Sequence, residues 1–172
     1  MTNRQWCPEN IDRVENLTYV PLERRYLKVQ FVKTAMAYIG LMLLPVFLLF
    51  ITEDPAGRNA IIICAESVLL AAAAVNMLFL PKAYAYKGFA IREHDITYRS
   101  GIIFPKTVTI PFCKVQQVSV RQTPVTRMFG LYAVDIVNGA QFLAETTIPG
   151  LTKEKADGIK ALLIERIDNE SK

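Results

Sequence analysis

The densest run of polar side chains lies between Lys114 and Gly130, where Lys114, Gln116, Gln117, Arg121, Gln122 and Arg127 follow closely on one another. Guanidinium and ammonium groups pair with phosphate and carboxylate oxygens, and amides supply further hydrogen bonds. Lys114, Gln116, Arg121, Gln122 and Arg127 therefore suit anionic lipid headgroups or an acidic partner surface. A structural reading stands beside this one: Gln122 or Arg127 ties a short helical turn to its neighbours by satisfying open carbonyls. The other conspicuous polar group is Glu66, set inside a long apolar run. A charged carboxylate at the centre of a membrane helix costs about 3 kcal/mol, so such residues face protein or water and not lipid. Glu66 either pairs with a partner subunit or lines a polar pocket, or it lies near enough to the outer interface to be wetted or protonated.

Catalytic chemistry has little to work with. His94 is the single histidine, which excludes a metal cluster built on several histidines of this chain. Phosphate-cradling glycine loops, nucleophile elbows and metal-ligand spacings are missing from the sequence. Glu93, Asp95, Asp135 and Glu145 are scattered, and are read as ordinary carboxylates on strand ends and solvent faces. Cys7, Cys64 and Cys113 are far apart, without CxxC spacing, and read as free thiols in a reducing compartment. The expectation is a protein that is not an enzyme and needs no metal or cofactor.

The elements that must position these residues are set by two apolar runs. Thr34–Thr52 is nineteen residues without a charge, and Ala60–Leu80 is twenty-one with only Glu66 charged. At 1.5 Å rise per residue, each makes a helix of about 30 Å, the thickness of a bilayer's hydrocarbon core. The intervening residues contain Pro55 and Gly57, so 34–81 reads as a transmembrane helical hairpin (34–52 and 60–80). Pro45 reads as a mid-helix kink. The run Ala71–Ala74 offers small side chains for close helix approach. A hydrophobic content of 52%, concentrated in the hairpin, explains the positive mean hydropathy. The net charge of +4 comes with no polybasic arm, which argues against nucleic acid as a partner.

Residues 1–33 read as a polar cytoplasmic leader without a cleavable signal peptide. Within it Leu22, Tyr26, Val29 and then Val32 or Lys33 fall at helical spacing opposite Arg24, Arg25 and Lys28, which predicts a solvated approach helix. Basic residues cluster before the first span and after the second, at Lys82, Lys87 and Arg92. Bias of this kind places both termini in the cytoplasm.

From residue 82 to 172 the pattern changes to short alternating runs rich in Val, Ile, Thr and Tyr. Ala83–Arg92, Asp95–Ile103, Thr107–Phe112, Val115–Gln122, Leu131–Asn138 and Gln141–Pro149 read as strands, with Asn138-Gly139 as a hairpin turn. Thr123-Pro124 opens a one-turn helix that Gly130 stops. Thr152 caps a terminal amphipathic helix whose Ala156, Ile159, Leu163 and Ile167 share a face.

The pieces Ile110-Pro111-Phe112-Cys113-Lys114-Val115-Gln116-Gln117-Val118, Arg121-Gln122-Thr123-Pro124, Arg127-Met128-Phe129-Gly130-Leu131 and Ile148-Pro149-Gly150-Leu151 carry a resemblance. Together with the preceding hairpin, they resemble the YdbS-like membrane proteins of the bacterial pleckstrin-homology (PH) domain family. Phe112 and Lys114 stand where Tyr and Arg are commoner. The resemblance implies an α+β membrane protein: a two-helix hairpin, then a PH-like antiparallel split barrel closed by a C-terminal helix. It further implies a multi-pass protein of the bacterial inner membrane with a role in envelope stress or antimicrobial-peptide tolerance. The expected function is a membrane-anchored interaction or scaffold module, assembling with itself or with a related PH-like membrane protein. The alternative is a lipid-headgroup binder or lipid-handling protein, with membrane lipids as partners.

Overall fold

The computed structural model describes residues 17–47, 55–138 and 145–170. A two-residue strand β1 (Val20–Pro21) leads into helix α1 (Arg25–Val46), and α2 (Pro55–Tyr86) runs back beside it. Both helices are long and apolar enough to cross a membrane, yet only 6% of each apolar window is buried within the protein. A core helix of a soluble protein would be mostly covered. Here Leu43, Leu44 and Leu78 are each more than 60% exposed, so their environment must be supplied from outside.

Strands β2 (Gly88–Ile91), β3 (Asp95–Ser100) and β4 (Lys106–Pro111) extend the sheet started by β1, in the order β1-β2-β3-β4. After a 3₁₀ turn at Phe112–Lys114, β5 (Val115–Arg121), β6 (Tyr132–Asn138) and β7 (Glu145–Leu151) form a second antiparallel sheet. The one-turn helix α3 (Pro124–Met128) joins β5 to β6, and α4 (Lys153–Glu170) closes the barrel. Ala156, Ile159 and Leu163 of α4 turn inward to meet Val134, Ile136 and Ile148 in one core. This is the α+β, split-barrel architecture that the family resemblance implies, built from the strands and closing helix that the sequence pattern predicts. The caps follow the local chemistry too: Thr126 N donates to Thr123 Oγ1 at 3.3 Å, Thr123 N donates back to Thr126 Oγ1 at 2.8 Å, and Thr152 Oγ1 accepts from Lys155 N. The turn at Gly139 and residues 141–144 of the last expected strand lie outside the described residues, as does Cys7.

Three readings change. The approach helix is not solvated: Leu22, Tyr26 and Val29 belong to the barrel's core, at 3%, 9% and 0% exposure. Their helical spacing is as expected, but the face they form is claimed by β7. Gly150, at φ 69°, comes so close to α1 that a Cβ there would sit 2.6 Å from Tyr26 Cγ, so only glycine admits this contact. Glu23 N donates to Gly150 O at 3.0 Å alongside it. Second, α2 begins at Pro55 and persists to Tyr86, so Ala83–Tyr86 is helical and strand β2 starts only at Gly88. Tyr84 shows why: from the last helical turn its hydroxyl reaches Leu22 O at 2.6 Å. Third, Asp135 is no surface carboxylate; it is 2% exposed at the middle of β6. Pro45 lies within α1, as expected.

A consequence is that the barrel does not hang from the membrane helices on a linker. Lys87 alone separates α2 from β2, and α1 is packed into the core by its own first turns.

Candidate functional site

The six polar residues of the 114–127 segment do not converge. Lys114 ends the 3₁₀ turn and Gln116 sits at a bulge between Val115 and Gln117, where the β5–β6 register shifts. Both are exposed. With strand rise near 3.3 Å per residue, they lie about 15–25 Å along β5 from Arg121. Arg121 is committed elsewhere: its Nε donates to Asp135 Oδ2 at 2.6 Å. Thr147 Oγ1 donates to Asp135 Oδ1, also at 2.6 Å, so three strands meet at one carboxylate. Gln122 is likewise structural, its Nε2 donating to Leu131 O at 3.0 Å across the α3 turn. Arg127 remains exposed, beside a groove shared with Gln122, Pro124 and Met128. Among the expected site residues, then, Gln122 and Arg127 share a surface, while Lys114 and Gln116 belong to the far end of β5.

A different cluster forms where the helices enter the barrel. The Arg99 guanidinium lies between the rings of Tyr19 and Tyr86, 4.2 and 4.5 Å from their centroids, and its Nε donates to Tyr86 O at 3.1 Å. Lys87 Nζ lies 5.6 Å from the centre of the Tyr26 ring. Burial pushes the Lys87 ammonium pKa down, and the neighbouring Lys33 charge pushes it the same way. Burial also raises the pKa of the Tyr98 hydroxyl, with Tyr26 adding to the effect. Tyr, Lys and Arg at the ends of apolar helices are the side chains that settle at a membrane–water boundary. Sequence reasoning missed this cluster as a site, although the tyrosines flanking Pro21 and Pro81 were a readable signal for it.

Within the apolar helices, Glu66 Oε1 is shielded from solvent and has no hydrogen-bond partner. It opens on a groove lined by Met42, Ile62, Ile63, Ser67 and Leu70. Ser67 does not satisfy it, since the Ser67 hydroxyl donates to Ile63 O at 2.7 Å. Further along the pair, Asn76 Nδ2 reaches Tyr38 Oη at 3.5 Å, and Ala73 is buried while Ala71, Ala72 and Ala74 face outward.

Comparison with known proteins agrees with this architecture. The model of the family described as "Bacterial PH domain" matches residues 28–167, a stretch that takes in most of α1, all of α2 and every strand from β2 onward. The UPF0699 transmembrane protein YdbS of Bacillus subtilis (strain 168) is 30% identical over 95 residues, which are 55% of this chain and 58% of that protein. The match thus covers less than two thirds of the relative. No solved structure matches the chain. The family match covers both apolar helices and the barrel they enter, and the chain belongs to the bacterial PH domain family as a membrane protein.

Proposed function

We propose that this chain is a non-enzymatic, membrane-anchored PH-like interaction module. It assembles through its membrane helices with a second copy or a related PH-like membrane protein. The observation that carries the reading is Glu66, whose enclosed Oε1 has no partner inside an apolar helix pair. In hydrocarbon such a group favours whatever state gives it a hydrogen bond, and a neighbouring chain can supply one. The outward Ala71, Ala72 and Ala74 let a further helix approach α2 closely on its neighbouring faces. Basic residues at both helix bases favour the cytoplasmic side for the barrel and both termini. Because the barrel is packed onto α1, assembly of the helices would also fix how two barrels face each other. A place in envelope stress or antimicrobial-peptide tolerance rests on the family resemblance.

The test is the association state of the full chain in lipid nanodiscs or mild detergent, followed by single-molecule photobleaching or analytical ultracentrifugation. Glu66→Ala is expected to weaken association about tenfold, in line with intramembrane polar contacts of about 1 kcal/mol or a little more. Glu66→Gln, which still donates and accepts, is expected to retain most of it. A parent chain that stays monomeric at every protein-to-lipid ratio would sink the proposal.

A second reading draws on Lys33 and Lys87, two like charges close enough to disfavour one another at the base of the hairpin. An anionic lipid headgroup would neutralise both. Native mass spectrometry of the parent should then show retained anionic lipid, and Lys33→Gln/Lys87→Gln should lose it. Equal retention by parent and variant would count against headgroup binding at this place.

A further inference from the structure

The turn between β3 and β4 reads Gly101-Ile102-Ile103-Phe104-Pro105. Turns that face water favour Gly, Pro, Asn, Asp and Ser, whose backbone or side chains suit the bend. Here three consecutive large apolar side chains occupy the tip, with Ile103 75% and Phe104 85% exposed. The tip is also sharply shaped. Gly101 has φ 82°, and a Cβ there would fall 2.2 Å from Phe104 O, so the chain closes tightly under the two exposed side chains.

Its position explains the composition. Gly101, Ile102, Ile103 and Phe104 line a groove with Phe79 and Ala83 of α2. Phe79 belongs to the last turn of the apolar run and Ala83 to the first turn beyond Pro81, about 6 Å apart along the axis. The tip therefore stands level with the end of the apolar run of α2. Phe79 is 49% exposed, so apolar surface continues from the membrane helix onto Ile103 and Phe104. Lys82 and Lys106, both exposed, flank that surface, as befits groups that reach for headgroup phosphates.

We propose that the β3–β4 tip is a membrane wedge, with Ile103 and Phe104 inserted among the lipids beside α2 at the depth where amphipathic elements lie in the interface. With α1 and α2 as one attachment and the tip as another, the barrel cannot roll about the hairpin axis. The Arg127–Met128 face and the outer surface of the second sheet then keep a set orientation towards partners. The inference needs only that the chain is a membrane protein, and it stands whether or not Glu66 mediates assembly.

The experiment uses the full chain in vesicles of mixed zwitterionic and anionic lipid. Trp6→Phe removes the native tryptophan, and Phe104→Trp or Ile103→Trp places a reporter at the tip. Lys114→Trp, at the end of β5 remote from α3 and α1, is the control. Reporters at 103 and 104 are expected to emit at shorter wavelength than the control. Acyl chains brominated close to the headgroup should quench them more strongly than chains brominated at their ends. Neither property should change as protein is diluted into excess lipid. Emission like that of water-exposed tryptophan, unquenched by any brominated lipid, overturns the proposal. Shielding that disappears on dilution also overturns it, and assigns the tip to contact with a second copy.

Discussion

Residues 82–172 expressed alone are expected to remain unfolded, although they hold six of the seven described strands and the closing helix. The reason lies in the residues they leave behind. Leu22, Tyr26 and Val29 are buried in the barrel's core, and full burial of a large apolar side chain is worth about 1.5–3 kcal/mol. Losing all three removes roughly 5–9 kcal/mol, an upper bound because the unfolded chain already buries some of that surface. Domain stabilities are only about 5–15 kcal/mol, so little or nothing is left. The fragment also loses β1 from the edge of β2, the Tyr84–Leu22 hydrogen bond, and the ring that fills the slot above Gly150. Joining residues 17–33 to 82–172 through a flexible Gly-Ser linker is expected to restore cooperative thermal unfolding and near-ultraviolet circular dichroism. A well-dispersed amide spectrum from 82–172 alone would show that α1 is dispensable.

That dependence marks the limit of what the sequence displayed. The alternation of Tyr132, Val134 and Ile136, the Thr123-Pro124 cap and the Thr152 cap are local signals, and each element formed where its signal lay. The face made by Leu22, Tyr26 and Val29 was equally visible as a period. Its partner was not, because Gly150 is more than a hundred residues away and nothing local points to it. Tyr84 and Tyr86 alternate with alanines, a pattern that suits a strand as well as the end of a helix. Only packing against Leu22 decides for the helix. The polar motif suffered most, since residue type alone does not distinguish a guanidinium aimed at solvent from one laid over a buried carboxylate. The register pairs Ser119 and Thr147 with Asp135, one on each side, and thereby brings Arg121 and Thr147 to the same buried group. The β3–β4 tip is the opposite case: its apolar run was in plain view, but its meaning depends on the level of Phe79.

Arg121→Met is expected to destabilise the barrel by about 3 kcal/mol while leaving lipid retention unchanged. Asp135 is 2% exposed and its charge is met by Arg121 Nε and the Thr147 hydroxyl. Methionine keeps an apolar stem of similar length but brings no donor, so the Asp135 carboxylate retains the Thr147 hydroxyl and loses its cation. A buried carboxylate deprived of its cation is the costly outcome, whereas removing both partners of such a pair is often neutral. The double variant Arg121→Met/Asp135→Val should therefore recover most of the lost stability, with valine suited to the centre of a strand. Denaturant titration of parent, both single variants and the double variant gives the coupling between the two residues directly. If Arg121 instead serves the membrane, Arg121→Met will unfold at the parent's midpoint and lose bound anionic lipid, the reverse on both measurements. The expected pattern would take Arg121 out of the headgroup-binding set. It would leave the lysines at the hairpin base, Lys106 beside the β3–β4 tip and Arg127 among the cations with which the barrel could meet lipid or partner.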